Sequence, residues 1–365
     1  MIENFLPTNR YTLELSKYLQ KRVKLTFLST WNAGDIDKEL SCECKKILYN
    51  GGKNKIQGLF IYLKSIRIIK QEMQKQYDVI HVQTFKIPEL EMHIYRKYKK
   101  DDQILVHTVH NVLPHEAKQA KRKLYGEFYQ CCDLLIAHNE RTKQQLMFDF
   151  NISEEKIAII PHGIFGGMIP NHKHVEDITT FLIFGMVRKY KGIDILLKAI
   201  AILDPSIRER CRFIIAGKQW KNLDSTDYIS MAQSLKIEKY VKFDLRRIED
   251  EELPNLYSKV DCCIFPYREI YGSGALMMAY TYMKPVIASN IPTFVEETQN
   301  GRTGILFKTE CPESLAEAIE NFTNLDEKQR FEYSKNIETL VKRKYDWRIL
   351  ADKTVEAYQT IIEGK

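Results

Sequence analysis

Three cations crowd one short loop, Arg188, Lys189 and Lys191, with Gly185 before them and Gly192 after them in FGMVRKYKG. The apolar run Thr180 to Phe184 ahead of this loop reads as a buried strand. The apolar positions Ile193, Leu196, Leu197 and Ile200 behind it read as one face of a helix. Cations at a strand end suit a diphosphate, because Gly185 lets the ligand near the backbone and the side chains add charge-assisted hydrogen bonds. A second stretch offers the other half of such a site. Cys262 to Phe265 reads as a strand closed by Pro266, Gly272-Ser273-Gly274 opens a helix to about Met283, and Lys284-Pro285 precedes a strand from Val286 to Ser289. A helix that opens on small residues turns unpaired N–H groups and its positive dipole end toward whatever lies above the sheet edge, and a phosphate fits there. Taken singly, the first stretch is equally a solvated basic loop and the second an ordinary crossover without a ligand.

Other chemistry-bearing residues also follow strands. His110 comes directly after the run ending at Val109, Gly217-Lys218 after Ala216, and Asp244, Arg246 and Arg247 after Phe243. Glu249 to Glu252 read as an acidic helix start that answers the helix dipole rather than as a metal site. Asn9, Arg10 and Tyr11 follow a short first strand. Asp35 and Asp37 form an aspartate pair too sparse to argue for a metal.

These residues need elements to hold them. In the first half, the runs Lys24 to Ser29, Val79 to Val82, Ile104 to Val109, Leu134 to Ala137 and Ile157 to Ile160 alternate with helical patterns. The second half repeats the scheme with Thr180 to Phe184, Arg212 to Ala216, Val241 to Phe243, Cys262 to Phe265 and Val286 to Ala288. Such alternation predicts α/β architecture with doubly wound parallel sheets in two similar domains. Pro161 to Ile178, rich in Gly, Pro and polar residues, reads as their connection. Trp347, Leu350, Val355 and Tyr358 give a final helix ending near Gly364.

The 365 residues suffice for two cores, and 44% hydrophobic with 28% charged residues describes a globular protein. No apolar run approaches the ~18 residues of a membrane-spanning helix. The beginning MIENFLPTNRYTLEL lacks the order of a signal peptide, so a cytoplasmic location is expected. Eight cysteines, mostly in adjacent or near-adjacent pairs, read as free thiols rather than bridges or zinc ligands. The net charge of +7 is uneven: up to Val175 there are 27 Lys and Arg against 19 Asp and Glu, and beyond it 28 against 29. Runs such as Arg96 to Lys100 and Lys118 to Lys123 would attract an anionic surface, lipid or nucleic acid, although each is also an ordinary solvated face. No aromatic interleaving marks a nucleic-acid-reading motif, so nucleic acid is not the expected partner.

Taken together, FGMVRKYKG, REIYGSGALMMAYTYMKPVIAS, EETQNGRTGILF, TVHNVLPHE and IPHGIF resemble family 4 retaining glycosyltransferases of the GT-B type. The resemblance implies two Rossmann-like domains facing across a cleft. Residues 1–165 would form an acceptor domain, 166–177 a linker, 178–345 a nucleotide-sugar domain, and 346–365 a helix packing back on the first. It implies transfer of a sugar from a UDP or GDP sugar, without cofactor or metal, to a glycan or polyprenyl-diphosphate-linked acceptor in surface polysaccharide biosynthesis. The basic first half would then sit at the inner face of the plasma membrane as a peripheral protein.

By the same resemblance, His110, Arg188 and Lys191 are the catalytic group. Donor contacts fall to Gly185, Arg188, Lys191, Gly217, Lys218, Arg246, Ile248, Glu269, Ser273, Gly274, Ala275 and Glu296. The acceptor falls to Asn9, Arg10, Tyr11 and His110. Two departures stand out: the family's glutamate pair falls on Ile270 and Met278, with Glu269 beside the first, and its early loop arginine is Met186, with Arg188 displaced by two. An epimerase or phosphorylase on the same fold is the alternative, and product analysis without an acceptor separates the first of these.

Overall fold

Short strands buried on both faces can satisfy their backbone only by pairing in parallel beneath helices, and the chain does so twice. The computed structural model describes residues 1–4, 10–49, 55–113, 119–166, 168–169, 178–270 and 272–364; most of the expected linker, and Asn9, lie outside them. One compact unit comprises Met1–Phe165 with Lys344–Lys365, and the other Gly166–Arg343.

The first unit contains β1 (Thr26–Thr30), β2 (Glu43–Leu48), β3 (Val79–Val82), β4 (Ile104–Val109), β5 (Leu134–Ala137) and β6 (Ile157–Ile159). β1 pairs with β2, and β3 to β6 pair in order, all in parallel. Ile2 joins the two groups, bridging Leu28 on one side and Val82 on the other. Its N–H donates to the His81 carbonyl at 2.9 Å, and its own carbonyl accepts from Gln83 N at 3.0 Å.

The second unit contains β7 (Thr179–Phe184), β8 (Cys211–Ala216), β9 (Val241–Asp244), β10 (Cys262–Phe265), β11 (Val286–Ser289) and β12 (Gly304–Phe307), ordered β12-β11-β10-β7-β8-β9. The chain moves outward from β7 to β9, then returns to the opposite side of β7 to build β10, β11 and β12. The order therefore reverses between β7 and β10, the place where an open parallel sheet leaves a crevice beyond its strand ends. Both basic and helix-opening stretches leave the sheet there.

β2 and β12 were not among the expected strands. β2 reads ECKKIL and is mostly half-exposed, so as an edge strand it carries no continuous apolar run. β12 is four residues at one edge of the second unit's sheet, introduced by a Gly-rich turn that masks its short apolar pattern.

The last helix, Trp347–Glu363, starts at Asp346, whose side chain accepts from the Arg348 N–H. Trp347, 1% exposed, donates its indole N–H to the Ile164 carbonyl. Leu350, Ala351 and Tyr358 continue the contact into a core shared with Tyr11, Leu15, Val106 and Ile136. Gly163 is required beneath the indole, because a Cβ there would come within 2.5 Å of the ring. We expect Trp347→Ala to destabilise this unit by about 3–5 kcal/mol in urea unfolding; a change below about 1 kcal/mol would show that the helix end is not part of the core.

Candidate active site

In the second unit the chain leaves β7 through Gly185, whose φ of +99° few other residues adopt. The N–H of Gly185 donates to the Ala216 carbonyl, and Gly217, at φ +140°, lies so close that a Cβ on it would meet the Gly185 oxygen at 2.2 Å. Two glycines at neighbouring strand ends thus keep this rim of the sheet bare of side chains.

Lys191 closes over that rim. It is 4% exposed, donates from Nζ to the Phe184 carbonyl at 2.9 Å, and sits 5.4 Å from the centre of the Tyr267 ring. Among the described residues no carboxylate pairs with it, and burial pushes its ammonium down to about 7.

The helix Gly274–Thr281 opens beside it. A Cβ placed on Gly185 would be 3.0 Å from Lys191 Nζ and 4.0 Å from the Ala275 Cβ, so loop cation and helix start flank the same point. Ser273 caps the helix, its Oγ accepting from the Leu276 N–H at 3.1 Å, which leaves the amides of Gly274 and Ala275 without an intrahelical acceptor. Buried Tyr267 stands between the two features, its ring facing Lys191 and its hydroxyl beside Ser273. Lysine, first-turn amides and bare glycine rim lie together as hydrogen-bond donors of the kind a diphosphate takes.

Arg268 fixes the cation loop in place. Its N–H donates to the Tyr190 carbonyl at 2.8 Å and its guanidinium to the Lys189 carbonyl at 2.8 Å. The same guanidinium forms a two-pronged pair with Asp194 at 3.0 and 2.7 Å and reaches Glu310 at 2.9 Å. Neither Tyr267 nor Arg268 was expected from sequence. The adjacent Pro266 marks only a strand end, and the partner Asp194 lies too far along the chain to announce the pair.

The remaining expected donor residues are more open. Arg188 is half-exposed, its Nε directed at the Met186 sulfur at 3.3 Å. Lys218 is exposed and stacks its ammonium 3.8 Å from the Trp220 ring centre. Arg246 is exposed and paired with Asp244 and Glu252, and Ile248 is half-buried two residues on. Glu269 is exposed in the loop after β10, and Glu296 is exposed on the helix Pro292–Glu297. Ile270 and Met278, at the family's glutamate positions, are half-buried.

In the first unit His110 leaves the end of β4 and lies among aromatic rings. Tyr11 packs edge-on to it at 4.9 Å and also touches His138, His162 and Trp347. Tyr11 is 1% exposed, so it supports the imidazole from below and does not face solvent, which corrects its expected direct contact with an acceptor. Arg10 is half-exposed and lies 3.9 Å from Glu39.

His110 also belongs to a hydrogen-bonded row across three strand ends. Its Nε2 faces Gln83 Oε1 at 3.2 Å, its Nδ1 faces His138 Nε2 at 3.2 Å, and His138 Nδ1 faces the Ile160 carbonyl at 2.9 Å. Burial, then the neighbouring imidazoles, holds His110 well below its ordinary pKa, and burial brings His138 down to about 4, so both rings are neutral. Three contacts between two terminal oxygens need three protons, and two neutral imidazoles carry two. Reversing the Gln83 amide resolves the count. Its nitrogen then donates to His110 Nε2, and its oxygen lies 2.9 Å from His81 Nε2, whose proton it shares with Thr108 Oγ1 at 2.7 Å. His81 Nδ1 in turn accepts from the Tyr358 hydroxyl at 2.6 Å. His110 thus carries its proton on Nδ1 and is held at both ring nitrogens. Sequence reasoning missed Gln83 and His138, which become neighbours of His110 only when the strands pair.

The profile described as Glycosyltransferase Family 4 matches residues 8–164, and that described as Glycosyl transferases group 1 matches residues 168–340. A D-inositol 3-phosphate glycosyltransferase of Corynebacterium aurimucosum is 25% identical over 60% of this chain and 56% of its own. A GDP-mannose:glycolipid 4-beta-D-mannosyltransferase of Xanthomonas campestris pv. campestris is 26% identical over 50% of this chain and 49% of its own. The chain therefore spans about half the length of these curated relatives. The crystal structure of Anabaena Alr3699/HepE in complex with UDP and glucose superposes with a TM-score of 0.72 at 16% identity, covering 98% of each chain, and shares the fold. The two profiles between them account for both α/β units, and the chain belongs to the family 4 glycosyltransferases of the GT-B type.

Proposed function

We propose that the protein is a retaining, metal-independent glycosyltransferase. It moves a sugar from a UDP or GDP sugar to a glycan or a polyprenyl-diphosphate-linked glycan in surface polysaccharide biosynthesis, at the inner face of the plasma membrane. The observation that carries this reading is the buried, unpaired Lys191 beside the open end of the helix Gly274–Thr281. An ammonium in that position is costly without an anion and favourable with one. The named relatives support both nucleotides, one using GDP-mannose and one structure holding UDP.

In this scheme Lys191, Arg188 and the amides of Ser273, Gly274 and Ala275 hold the diphosphate, with Gly185 giving it access to the backbone. Gly217, Lys218, Arg246, Ile248, Glu269 and Glu296 complete the donor contacts. As the glycosidic bond to the phosphate lengthens, charge grows on the departing diphosphate and on the sugar. Groups fixed before the reaction stabilise the first of these without reorganising. The phosphate oxygen freed by the departing sugar takes the acceptor proton. His110, neutral and fixed by its two ring contacts, positions the transferred sugar, with Asn9 and Arg10 on the acceptor side.

Arg188→Ala and Lys191→Ala should each lower turnover by ~10²-fold or more with the fold intact by circular dichroism, and a double variant with normal turnover would overturn the reading. His110→Ala should reduce turnover far more than it reduces nucleotide affinity, as read by steady-state kinetics alongside calorimetry. Lys191 also gives a pH signature. Because its ammonium is about half-deprotonated near pH 7 in the free protein and protonated beside a diphosphate, nucleotide-sugar binding takes up a proton above that pH. Affinity should fall by about tenfold per pH unit between pH 7 and 9, and calorimetry at pH 8 in buffers of different ionisation enthalpy should show uptake of about one proton, absent in Lys191→Met.

A further inference from the structure

The helix Lys55–Met73 of the first unit carries a buried apolar face and, adjoining it, an exposed one. One side, formed by Tyr62, Ile66, Ile69 and Met73, is buried in the unit's core. The other carries Ile56, Leu59, Phe60 and Leu63, which are 72%, 58%, 70% and 49% exposed. Their spacing of three and four residues places all four on one outward stripe. Surface helices normally carry polar residues there, and a contiguous apolar patch of this kind marks a contact surface.

The cations that continue the stripe indicate its partner. Lys64 and Arg67 are exposed on the same outward side, one and four residues past Leu63 and so within about one turn of the apolar tip. From Ile56 to Arg67 the stripe runs about 16 Å, at 1.5 Å per residue. A convex face with bulky apolar side chains at one end and cations at the other matches a bilayer surface, where the apolar groups enter the acyl boundary and the cations remain among anionic headgroups. Among the described residues no helix is long and apolar enough to cross a membrane, so the contact is one of lying on the surface.

We propose that the outward face of the helix Lys55–Met73 is the site at which the protein docks on an anionic lipid surface, with Phe60 and Leu63 inserted and Lys64 and Arg67 against headgroups. This rests on the membrane location given under the proposed function and assigns it to one element, in place of the diffuse basic charge of the first half.

The test is co-sedimentation of the full chain with vesicles of phosphatidylcholine and phosphatidylglycerol, and with vesicles of phosphatidylcholine alone. The wild type should bind the mixed vesicles and release as salt is raised. F60E/L63E should bind about tenfold more weakly or less, since each side chain loses the burial of a large apolar group. K64E/R67E should weaken binding to the mixed vesicles while leaving the slight binding to phosphatidylcholine unchanged. Both variants change exposed positions and should keep the thermal midpoint and its rise with UDP or GDP, so a loss of binding is not a loss of fold. Salt-sensitive wild-type binding that survives F60E/L63E would overturn the assignment to this helix while preserving a membrane location. No wild-type binding at low salt would overturn both. A concentration-dependent dimer abolished by F60E/L63E, without vesicle binding, would overturn it in favour of a second copy of this chain.

Discussion

A lysine ammonium held almost out of water, with one carbonyl and one aromatic face for company, is the constraint around which the second unit is built. Removing a charge from water is expensive, and neither the Phe184 carbonyl nor the Tyr267 ring offsets it in full; the depressed pKa of Lys191 expresses the remainder. The surroundings keep the strain in place. Arg268 ties the carbonyls of Lys189 and Tyr190 to Asp194, so the loop cannot swing its lysine into solvent without breaking a two-pronged ion pair. The reversal of strand order between β7 and β10 brings the helix start to the same spot. Loop, clamp and helix thus converge because the sheet topology leaves them nowhere else to go.

The first unit fixes its histidine by a different means. No charge is buried at His110; instead hydrogen bonds run through neutral rings from Tyr358 on the last helix to the Ile160 carbonyl. Such a row has direction, because each ring that donates at one nitrogen must accept at the other. A change at either end would reorient the middle, and the middle is His110.

The strand ends carrying cations and glycines were legible in the sequence because their signals are local. A short apolar run, a breaker and a charged residue lie within ten positions of each other at Phe184 to Lys191 and at Phe265 to Ser273. The doubly wound architecture was legible through the same alternation. What could not be read depends on pairing between distant segments. Gln83, His110 and His138 each follow a separate strand, and only the register of β3, β4 and β5 puts them side by side. Tyr11 reads as an acceptor-side residue after a short first strand, yet it is buried, with Trp347 of the last helix packed against it. The edge strands β2 and β12 escaped notice for a plainer reason: an edge needs less apolar surface than a centre, so its pattern is weak.

The return of the last helix to the first unit makes the second unit an insertion between two parts of one core. On the ribosome, residues 1–165 emerge before the segment that shields Tyr11, Leu15 and Ile160, with the whole second unit made between them. The sheet of the first unit therefore waits, with one apolar side uncovered, while the entire second unit is translated and folds as a local, uninterrupted chain. The first unit therefore cannot be completed before the second has been made, and removal of the helix Trp347–Glu363 would leave the second unit intact and the first with its apolar side open.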